Sequence, residues 1–202
     1  MKMERISEHP VNTIFLERWS PRAYDANPMR EHDLLTILEA ARWAPSAFNV
    51  QPWRFVYAHR GDAHWQRFLS LLDDFNRGWA QHASALVFVL SDTVMPGDGD
   101  RVAKVSRTNS FDAGAAWAQL ALQTTLLGYQ AHAMAGIDFE AARKALSVPK
   151  QYKVEIAVAV GTRAERSNLP NELQEREQPS QRLSLDEIAF AGVFNNLSNL
   201  LV

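Results

Sequence analysis

The segment from Arg18 to Arg22 carries residue types that could bind a phosphate group. Ser20 precedes a proline, so its backbone is pushed toward an extended conformation. Alternate side chains of an extended stretch point to the same side, which would bring Arg18, Ser20 and Arg22 together. Two guanidinium groups, whose planar donors match phosphate oxygens, would then converge with a hydroxyl. Taken alone, the segment could also be a solvated charged turn.

A second polar segment lies between Pro45 and Pro52, directly before an apolar, aromatic run. Ser46, Asn49 and Gln51 supply hydroxyl and amide groups. An amide donates and accepts together, which suits the edge of a heteroaromatic ring that carries both C=O and N–H groups. Taken alone, this segment could also be an ordinary connection between a helix and a strand.

Motifs for other chemistries are missing from the sequence. No Gly-x-Gly-x-x-Gly follows a strand, and there is no Walker loop or Gly-x-Ser-x-Gly elbow. The chain has no cysteine, and its six histidines are scattered, so we expect no metal site. No nucleophile has an evident base, so we name no catalytic side chain. If the protein is an enzyme, a cofactor carries the chemistry.

Composition limits the class of protein further. The chain has 202 residues, of which 47% are hydrophobic and 22% charged, as expected for one globular domain over 1–202. The net charge of −2 gives no reason to expect nucleic-acid or membrane-surface binding. The N-terminus lacks an apolar signal region, and no apolar run approaches the ~20 residues that span a bilayer. We therefore predict a cytoplasmic protein.

Helical and extended patterns are mixed along the chain. Helical patterns cover 32–44, 62–73, 111–128 and 138–146, and strand patterns cover 53–58, 85–90, 131–135 and 154–160. The polar stretch 93–108 is predicted to be a loop. There is no clean alternation of strand and helix, which favours an α+β fold. The helix at 111–128 is apolar nearly all round, so we expect it inside the protein or at an interface.

The C-terminal part changes character twice. Residues 163–182 are almost wholly polar and could not bury enough apolar surface to fold alone. Residues 183–202 are apolar again. We therefore predict that the arm 163–202 packs on a second subunit.

Several segments, taken in order along nearly the whole chain, resemble the nitroreductase family of flavoproteins. Residues 18–24 resemble its Arg-x-Ser-x-Arg-x-Phe/Tyr motif, and 44–55 resemble its Ala-Pro-Ser-x-x-Asn-x-Gln-Pro-Trp-x-Phe segment. Further similar segments are Asn76 to Trp79 before a strand, a central helix at 112–120, a turn at 134–138, and Pro179-Ser180-x-Arg182. The family's segments are individually weak signals but specific when they occur together in this order.

The resemblance implies an α+β sandwich with a central mixed or antiparallel sheet flanked by helices. It also implies an interlocked homodimer with an exchanged C-terminal tail and two FMN molecules at the interface. The helix at 111–128 would form much of the dimer core. The implied reaction is ping-pong, in which NADH or NADPH reduces FMN and an electrophilic small molecule, such as a nitroaromatic or a quinone, is then reduced.

The resemblance also implies roles for individual residues. The FMN phosphate would be bound by Arg18, Ser20 and Arg182, with the backbone of Trp19. Arg22 would lie near flavin N1 and O2, Asn76 would bind the pyrimidine end, and Ala135 and Gly136 would present backbone groups near O4 and N5. Four residues would reach the FMN of the partner subunit: Pro45, Ser46, Ala47 and Asn49.

Some alternatives stay open at this point. The chain could bind FMN without catalysis, as a store or sensor, or catalyse another flavin reaction, such as dehalogenation, dehydrogenation or flavin breakdown. Ala135 stands where the family often has a glycine or an acid. Ser184 to Glu187 has the sequence of a helix capping box. The family is usually extended there, and we follow the family in predicting extended structure.

Overall fold

The structure, a computed structural model, describes residues 5–97, 99 and 102–194. The strands are β1 (Trp53–His59), β2 (Ala85–Asp92), β3 (Val94–Met95), β4 (Lys104–Val105), β5 (Gln130–Met134) and β6 (Tyr152–Gly161). The helices are α1 (Ile14–Glu17), α2 (Glu31–Arg42), α3 (Trp65–Ser70), α4 (Asp74–Ala80), α5 (Asn109–Leu126), α6 (Phe139–Ala145), α7 (Asn171–Gln174) and α8 (Leu185–Ile188).

A four-stranded sheet forms the centre of the fold, in the order β1-β2-β6-β5. Its paired strands are all antiparallel. Strand β2 is buried along nearly its whole length because its side chains enter the core on both faces. Leu86 and Phe88 point to one face, while Val87 and Val89 point to the other. The predicted α+β class is confirmed, and the sheet is antiparallel within the described residues.

Helices cover both faces of this sheet and give a three-layer sandwich. On one face, α2 and α5 contribute Leu34, Ile37 and Leu120 to a core with Val87 and Val89. On the other face, α3 and α4 contribute the aromatic side chains of Phe68 and Trp79, and α6 contributes Ala142. The sheet therefore separates two hydrophobic cores, one on each face. Residues at the sheet edges and in the loops are not needed for these cores and could form a binding site.

Helix α5 buries only one of its faces. Ala116 and Leu120 are fully buried against the sheet and α2, whereas Phe111 is 80% exposed and Gly114 and Ala118 are also exposed. Within the described part of the chain, nothing covers this second, small-residue face. Nor does any helix in that part combine the length and apolar character needed to cross a membrane.

Three local predictions need correction. The stretch 93–108, predicted as a loop, contains the short hairpin β3–β4, in which Val94 pairs with Val105. The helix predicted at 62–73 is shorter, and α4 follows it because the Asp73 side chain accepts from the N–H of Asn76 and begins a new helix. Residues Leu185–Ile188 are helical, with both capping-box hydrogen bonds formed, so the expectation of extended structure was wrong.

The first half of the C-terminal arm packs on its own chain. The N–H of Ala164 donates to the carbonyl of Ala23 at 2.9 Å, and Leu169 and Leu173 enter the core. Apolar side chains are exposed farther along, among them Ile188 and Phe194. The predicted contact with a second subunit therefore concerns 183–194 here, and residues 195–202 lie outside the described part.

Candidate functional site

A cationic cavity of about 280 Å³ lies beside the segment that follows α1. We call it the arginine cavity. It brings together five residues predicted from the sequence, which are Arg18, Trp19, Ser20, Arg22 and Arg182. It is also lined by Arg5, His132, Arg176, Gln178 and Ser180. The helix α1 ends at Glu17, and Arg18 turns to extended backbone with ψ of 123°, as predicted for the start of this segment.

Hydrogen bonds join the walls of this cavity. Arg18 Nη1 donates to Ser20 Oγ at 3.4 Å, and Arg182 Nη1 donates to Ser180 Oγ at 3.0 Å. Arg5 connects the two walls, since its Nη1 donates to the carbonyl of Arg18 at 2.7 Å and its Nε to that of Ser180 at 3.0 Å. The C-terminal arm is thus attached to the Arg18 segment of the same chain.

The charges in the cavity favour an anion. Burial lowers the pKa of Arg5, Arg18 and Arg22. The positive charge of Arg182 lowers the pKa of Arg5 and Arg18 further, and that of Arg176 lowers the pKa of Arg22. A bound phosphate would relieve this repulsion and accept charge-assisted hydrogen bonds from the guanidinium groups.

Arg22 extends the cavity toward an aromatic wall. Its guanidinium carbon lies 6.0 Å from the centre of the Trp79 ring. Its Nε is buried and has no hydrogen-bond acceptor among the described residues. Because a buried donor without a partner costs about 1–3 kcal/mol, this N–H calls for an acceptor on a ligand. The residues therefore fit a phosphorylated molecule that also carries a ring with acceptor atoms.

A second group of predicted residues lies at the turn after β5. Asn76 Nδ2 donates to the carbonyl of Gly136 at 3.2 Å, and the N–H of Asp73 donates to the same carbonyl at 3.0 Å. A Cβ at Gly136 would lie 2.0 Å from Asp73 Oδ2, so only glycine fits there without a shift. Ala135 is exposed beside it. The structure thus brings Asn76, Ala135 and Gly136 together.

His132 connects this turn with the arginine cavity. It lies on β5 shortly before the turn, lines the cavity, and packs on Trp79 with ring centres 4.6 Å apart. Burial lowers its pKa to about 4, with a smaller contribution in the same direction from the charge of Arg22. The imidazole is therefore neutral near pH 7, and its Nδ1–H donates to the carbonyl of Pro21 at 2.9 Å.

The third predicted group, Pro45, Ser46, Ala47 and Asn49, lies in a loop away from the arginine cavity. Phe48, Asn49 and Gln51 have positive φ angles of 52°, 56° and 50°, which are unusual for residues other than glycine. Strain of this kind persists where surrounding contacts enforce it, often at functional loops. Here the N–H of Gln51 donates to Ser46 Oγ at 3.0 Å, and that of Ala47 to Asp112 Oδ2 at 3.4 Å.

This loop forms one wall of a second cavity, of about 620 Å³. Phe48, Asn49 and Val50 face Met95, Pro96 and Lys104 from the β3–β4 hairpin across it. The two polar segments near the N-terminus therefore border different cavities. The Arg18 segment belongs to the arginine cavity, and the Pro45 loop borders this hairpin cavity.

Sequence reasoning missed several residues of the site. Glu177 is 9% exposed and accepts hydrogen bonds from the N–H groups of Arg22 and Ala23. Leu169 and Leu173, which are four residues apart in a polar stretch, could have indicated that this part of the arm packs on the core of its own chain. Nothing local pairs Glu177 with Arg22, or Arg5 and His132 with the cavity. Among the described residues, no group of three His, Asp or Glu side chains could hold a metal ion.

The structure is an antiparallel α+β sandwich with an arginine-lined cavity at its edge, a cavity whose charges suit a phosphorylated ligand. The chain belongs to the nitroreductase family, whose model matches residues 16–162. A solved structure of an oxidoreductase containing FMN is 50% identical, with a TM-score of 0.92, and the match covers 96% of this chain and 98% of that chain.

Two curated relatives are similar over most of their length. The CLA biosynthesis enone reductase of Lactiplantibacillus plantarum is 28% identical, over 81% of this chain and 90% of that protein. The NADH dehydrogenase of Thermus thermophilus is 29% identical, over 88% of this chain and 94% of that protein. The predicted family and fold are confirmed.

Proposed function

We propose that this chain is an FMN-dependent oxidoreductase that uses NADH or NADPH to reduce an electrophilic small molecule by a ping-pong mechanism. The observation that carries the proposal is the arginine cavity, which is lined by Arg18, Ser20, Arg22 and Arg182, with the Nε of Arg22 left without an acceptor among the described residues. The enzyme class and the cofactor agree with the names of the relatives, one an oxidoreductase containing FMN and one an NADH dehydrogenase.

In this proposal the arginine cavity binds the phosphate end of FMN. Arg18, Arg182 and Ser20 donate to the phosphate oxygens, with the backbone of Trp19 beside them. Arg22 donates to the acceptor edge of the flavin, near N1 and O2. A cation there stabilises the negative charge that the ring gains on reduction.

The turn after β5 would receive the other edge of the ring. Asn76 already donates its Nδ2 to Gly136, so its Oδ1 is left to accept from a ring N–H at the pyrimidine end. Backbone groups of Ala135 and Gly136 would lie near O4 and N5. When bound, FMN supplies the hydride chemistry, and the chain supplies binding, orientation and electrostatics. We assign no acid or base to a side chain.

We also propose that the active form is a homodimer with two FMN sites. Three features support it: the uncovered face of α5 with Gly114 and Ala118, the exposed apolar residues in 183–194, and the strained loop at 46–51. Pro45, Ser46, Ala47 and Asn49 would then reach the FMN of the partner. The absence of cysteine fits the reducing cytoplasm, where we propose that the enzyme acts.

The acceptor would enter beside the hairpin cavity, where the apolar side chains of Phe48 and Met95 could contact an aromatic compound and the polar groups of Asn49 and Lys104 could contact its substituents. We propose a nitroaromatic or quinone-like acceptor. A conjugated enone is the second candidate, favoured by the relative named as an enone reductase. All three classes are electrophiles that accept a hydride or its electrons, and the loops at 45–52 and 93–108 would select among them.

The proposal is tested by anaerobic titration of the purified, FMN-loaded protein. We expect NADH or NADPH to bleach the flavin absorbance, and a nitroaromatic, quinone or enone to restore it. Steady-state rates at several acceptor concentrations should give the parallel double-reciprocal lines of a ping-pong reaction. A protein that binds FMN but is not bleached would instead be a store or sensor. A protein that stays colourless with added FMN would refute the proposal.

A further inference from the structure

The peptide group between Pro21 and Arg22 is held on both sides by side chains that are distant in the sequence. On one side, His132 Nδ1 donates to the carbonyl of Pro21 at 2.9 Å. On the other, the N–H of Arg22 donates to Glu177 Oε1 at 2.8 Å and Oε2 at 3.0 Å. The N–H of Ala23 donates to the same Oε1 at 2.9 Å. We call this arrangement the peptide clamp.

The contacts of Glu177 are those of an anchor. Burying a carboxylate is costly unless hydrogen bonds satisfy it, and here two consecutive backbone N–H groups do so. Bonds of this kind are charge-assisted and roughly twice as strong as neutral ones. The side chains of Leu169 and Leu173, buried in the core, attach the preceding part of the arm. Glu177 is therefore fixed to the body of the protein and fixes Arg22 in turn.

The clamp determines where the Arg22 side chain begins. His132, which holds the carbonyl, also packs on Trp79, and Trp79 lies under the Arg22 guanidinium. His132 and Glu177 thus fix the backbone position of Arg22, and the Trp79 ring supports the direction of its side chain. The guanidinium Nε has no acceptor among the described residues, so the group keeps a donor that the chain itself does not use.

We propose that His132 and Glu177 are positioning residues that set where the Arg22 guanidinium meets the flavin ring. This inference rests on the proposed function. A guanidinium held at the ring edge stabilises reduced, anionic flavin more than oxidised flavin. Loosening the clamp should therefore weaken the binding of reduced FMN selectively and lower the flavin reduction potential. Arg5 joins the carbonyls of Arg18 and Ser180 without either clamp residue, so the phosphate contacts of Arg18 and Arg182 should survive when the clamp is loosened.

The test uses full-length Glu177→Gln, which keeps the shape of the side chain but turns an amide N–H₂ toward the backbone donors. We expect oxidised FMN to bind within about threefold of wild type and reduced FMN about tenfold more weakly. For a two-electron couple, the reduction potential is then lower by about 30 mV if oxidised FMN binds as in wild type, and by about 15 mV if oxidised FMN also binds threefold more weakly. Hydrogen exchange of the Arg22 and Ala23 amides in the FMN-free protein should accelerate at least tenfold. The matched control is Glu175→Gln, an exposed carboxylate on the same arm.

A variant of Arg22 separates positioning from a general loss of structure. In the Arg22→Ala background, Glu177→Gln should shift the potential no further, because both changes act through one guanidinium. An equal shift in both backgrounds, or unchanged potential and exchange in the single variant, would overturn the proposal. If Glu177→Gln fails to fold, His132→Gln tests the carbonyl side with the same measurements. Failure of the proposed function would be evident separately, as wild-type protein that does not bind FMN or is not bleached.

Discussion

Replacing Gly136 by alanine should destabilise the fold, against the usual effect of this substitution. Gly136 does not have a positive φ, so alanine can adopt its backbone conformation. At such positions Gly→Ala commonly stabilises by about 0.4–1 kcal/mol through the unfolded chain. Here, however, the new Cβ would lie 2.0 Å from Asp73 Oδ2 and 2.3 Å from Asn76 Nδ2. Both side chains would have to move.

The cost follows from the hydrogen bonds those side chains make. Asp73 caps α4, and losing a cap costs about 1 kcal/mol. Displacing the Asn76 amide from the Gly136 carbonyl costs about another 1 kcal/mol, and overpacking adds a contribution of similar size. After the gain of about 0.4–1 kcal/mol from the unfolded chain is subtracted, we expect Gly136→Ala to lose about 2–2.5 kcal/mol. For a chain of this length that is a fall in Tm of roughly 4–10 °C.

The measurement is urea unfolding of FMN-free protein at one fixed concentration, so that neither ligand nor dimerisation differs between variants. The matched control is Gly78→Ala on α4 itself, where a Cβ meets nothing within 4 Å. That change should stabilise by about 0.5–1 kcal/mol, since glycine weakens a helix interior. A Gly136→Ala protein as stable as wild type, or more so, would refute the close packing of this turn on α4.

Three further predictions follow from the site. Arg18→Ala should weaken FMN binding by about 1.5–3 kcal/mol but leave riboflavin, which lacks the phosphate, unaffected in fluorescence titrations; an equal loss for both would contradict a phosphate contact. The pKa of His132 is about 4 in the folded protein and 6.5 in the unfolded chain, so the unfolded chain takes up a proton first as the pH falls. The free energy of unfolding should therefore fall by up to about 3 kcal/mol between pH 6.5 and pH 4. Urea midpoints of His132→Gln should lack this part of the pH dependence, and identical curves would exclude it. Ala118→Glu on the exposed face of α5 should give monomers in sedimentation and lose FMN; an intact dimer would place the interface elsewhere.

The parts of the fold that could be predicted from sequence are those with long, apolar patterns. The run at 85–90 is apolar on both faces and became β2, and the helix at 111–128 became α5, shifted by two residues at each end. The two-residue strands β3 and β4 are too short to show a period. The start of helix α4 depends on the capping carboxylate of Asp73, which cannot be predicted from the periodicity of hydrophobic residues.

One error came from preferring the family pattern to local chemistry. Ser184 and Glu187 have the residue types and spacing of a capping box, and both of its hydrogen bonds are present. The backbone N–H of Ser184 donates to Glu187 Oε2 at 2.9 Å. This interaction is local, so it can form whatever the rest of the arm contacts. A family resemblance predicts the structure that is typical of the family, whereas the capping box depends only on Ser184 and Glu187 of this chain.

The sequence predicted the residues that line the arginine cavity better than it predicted the long-range contacts that hold them in place. Residues 18, 20 and 22 line the same cavity because alternate side chains of an extended segment point to the same side. That alternation can be predicted from the local sequence. Glu177 contacts Arg22 across 155 positions, and His132 reaches Pro21 across 111, and neither pairing leaves a local signal. Arg176, Gln178, Ser180 and Arg182 can line the cavity because Leu169 and Leu173 attach the arm to the core. Substitutions of Leu169 or Leu173 that detach the whole arm should therefore weaken cofactor binding before they unfold the protein, whereas Glu177→Gln leaves both leucines in place and should not.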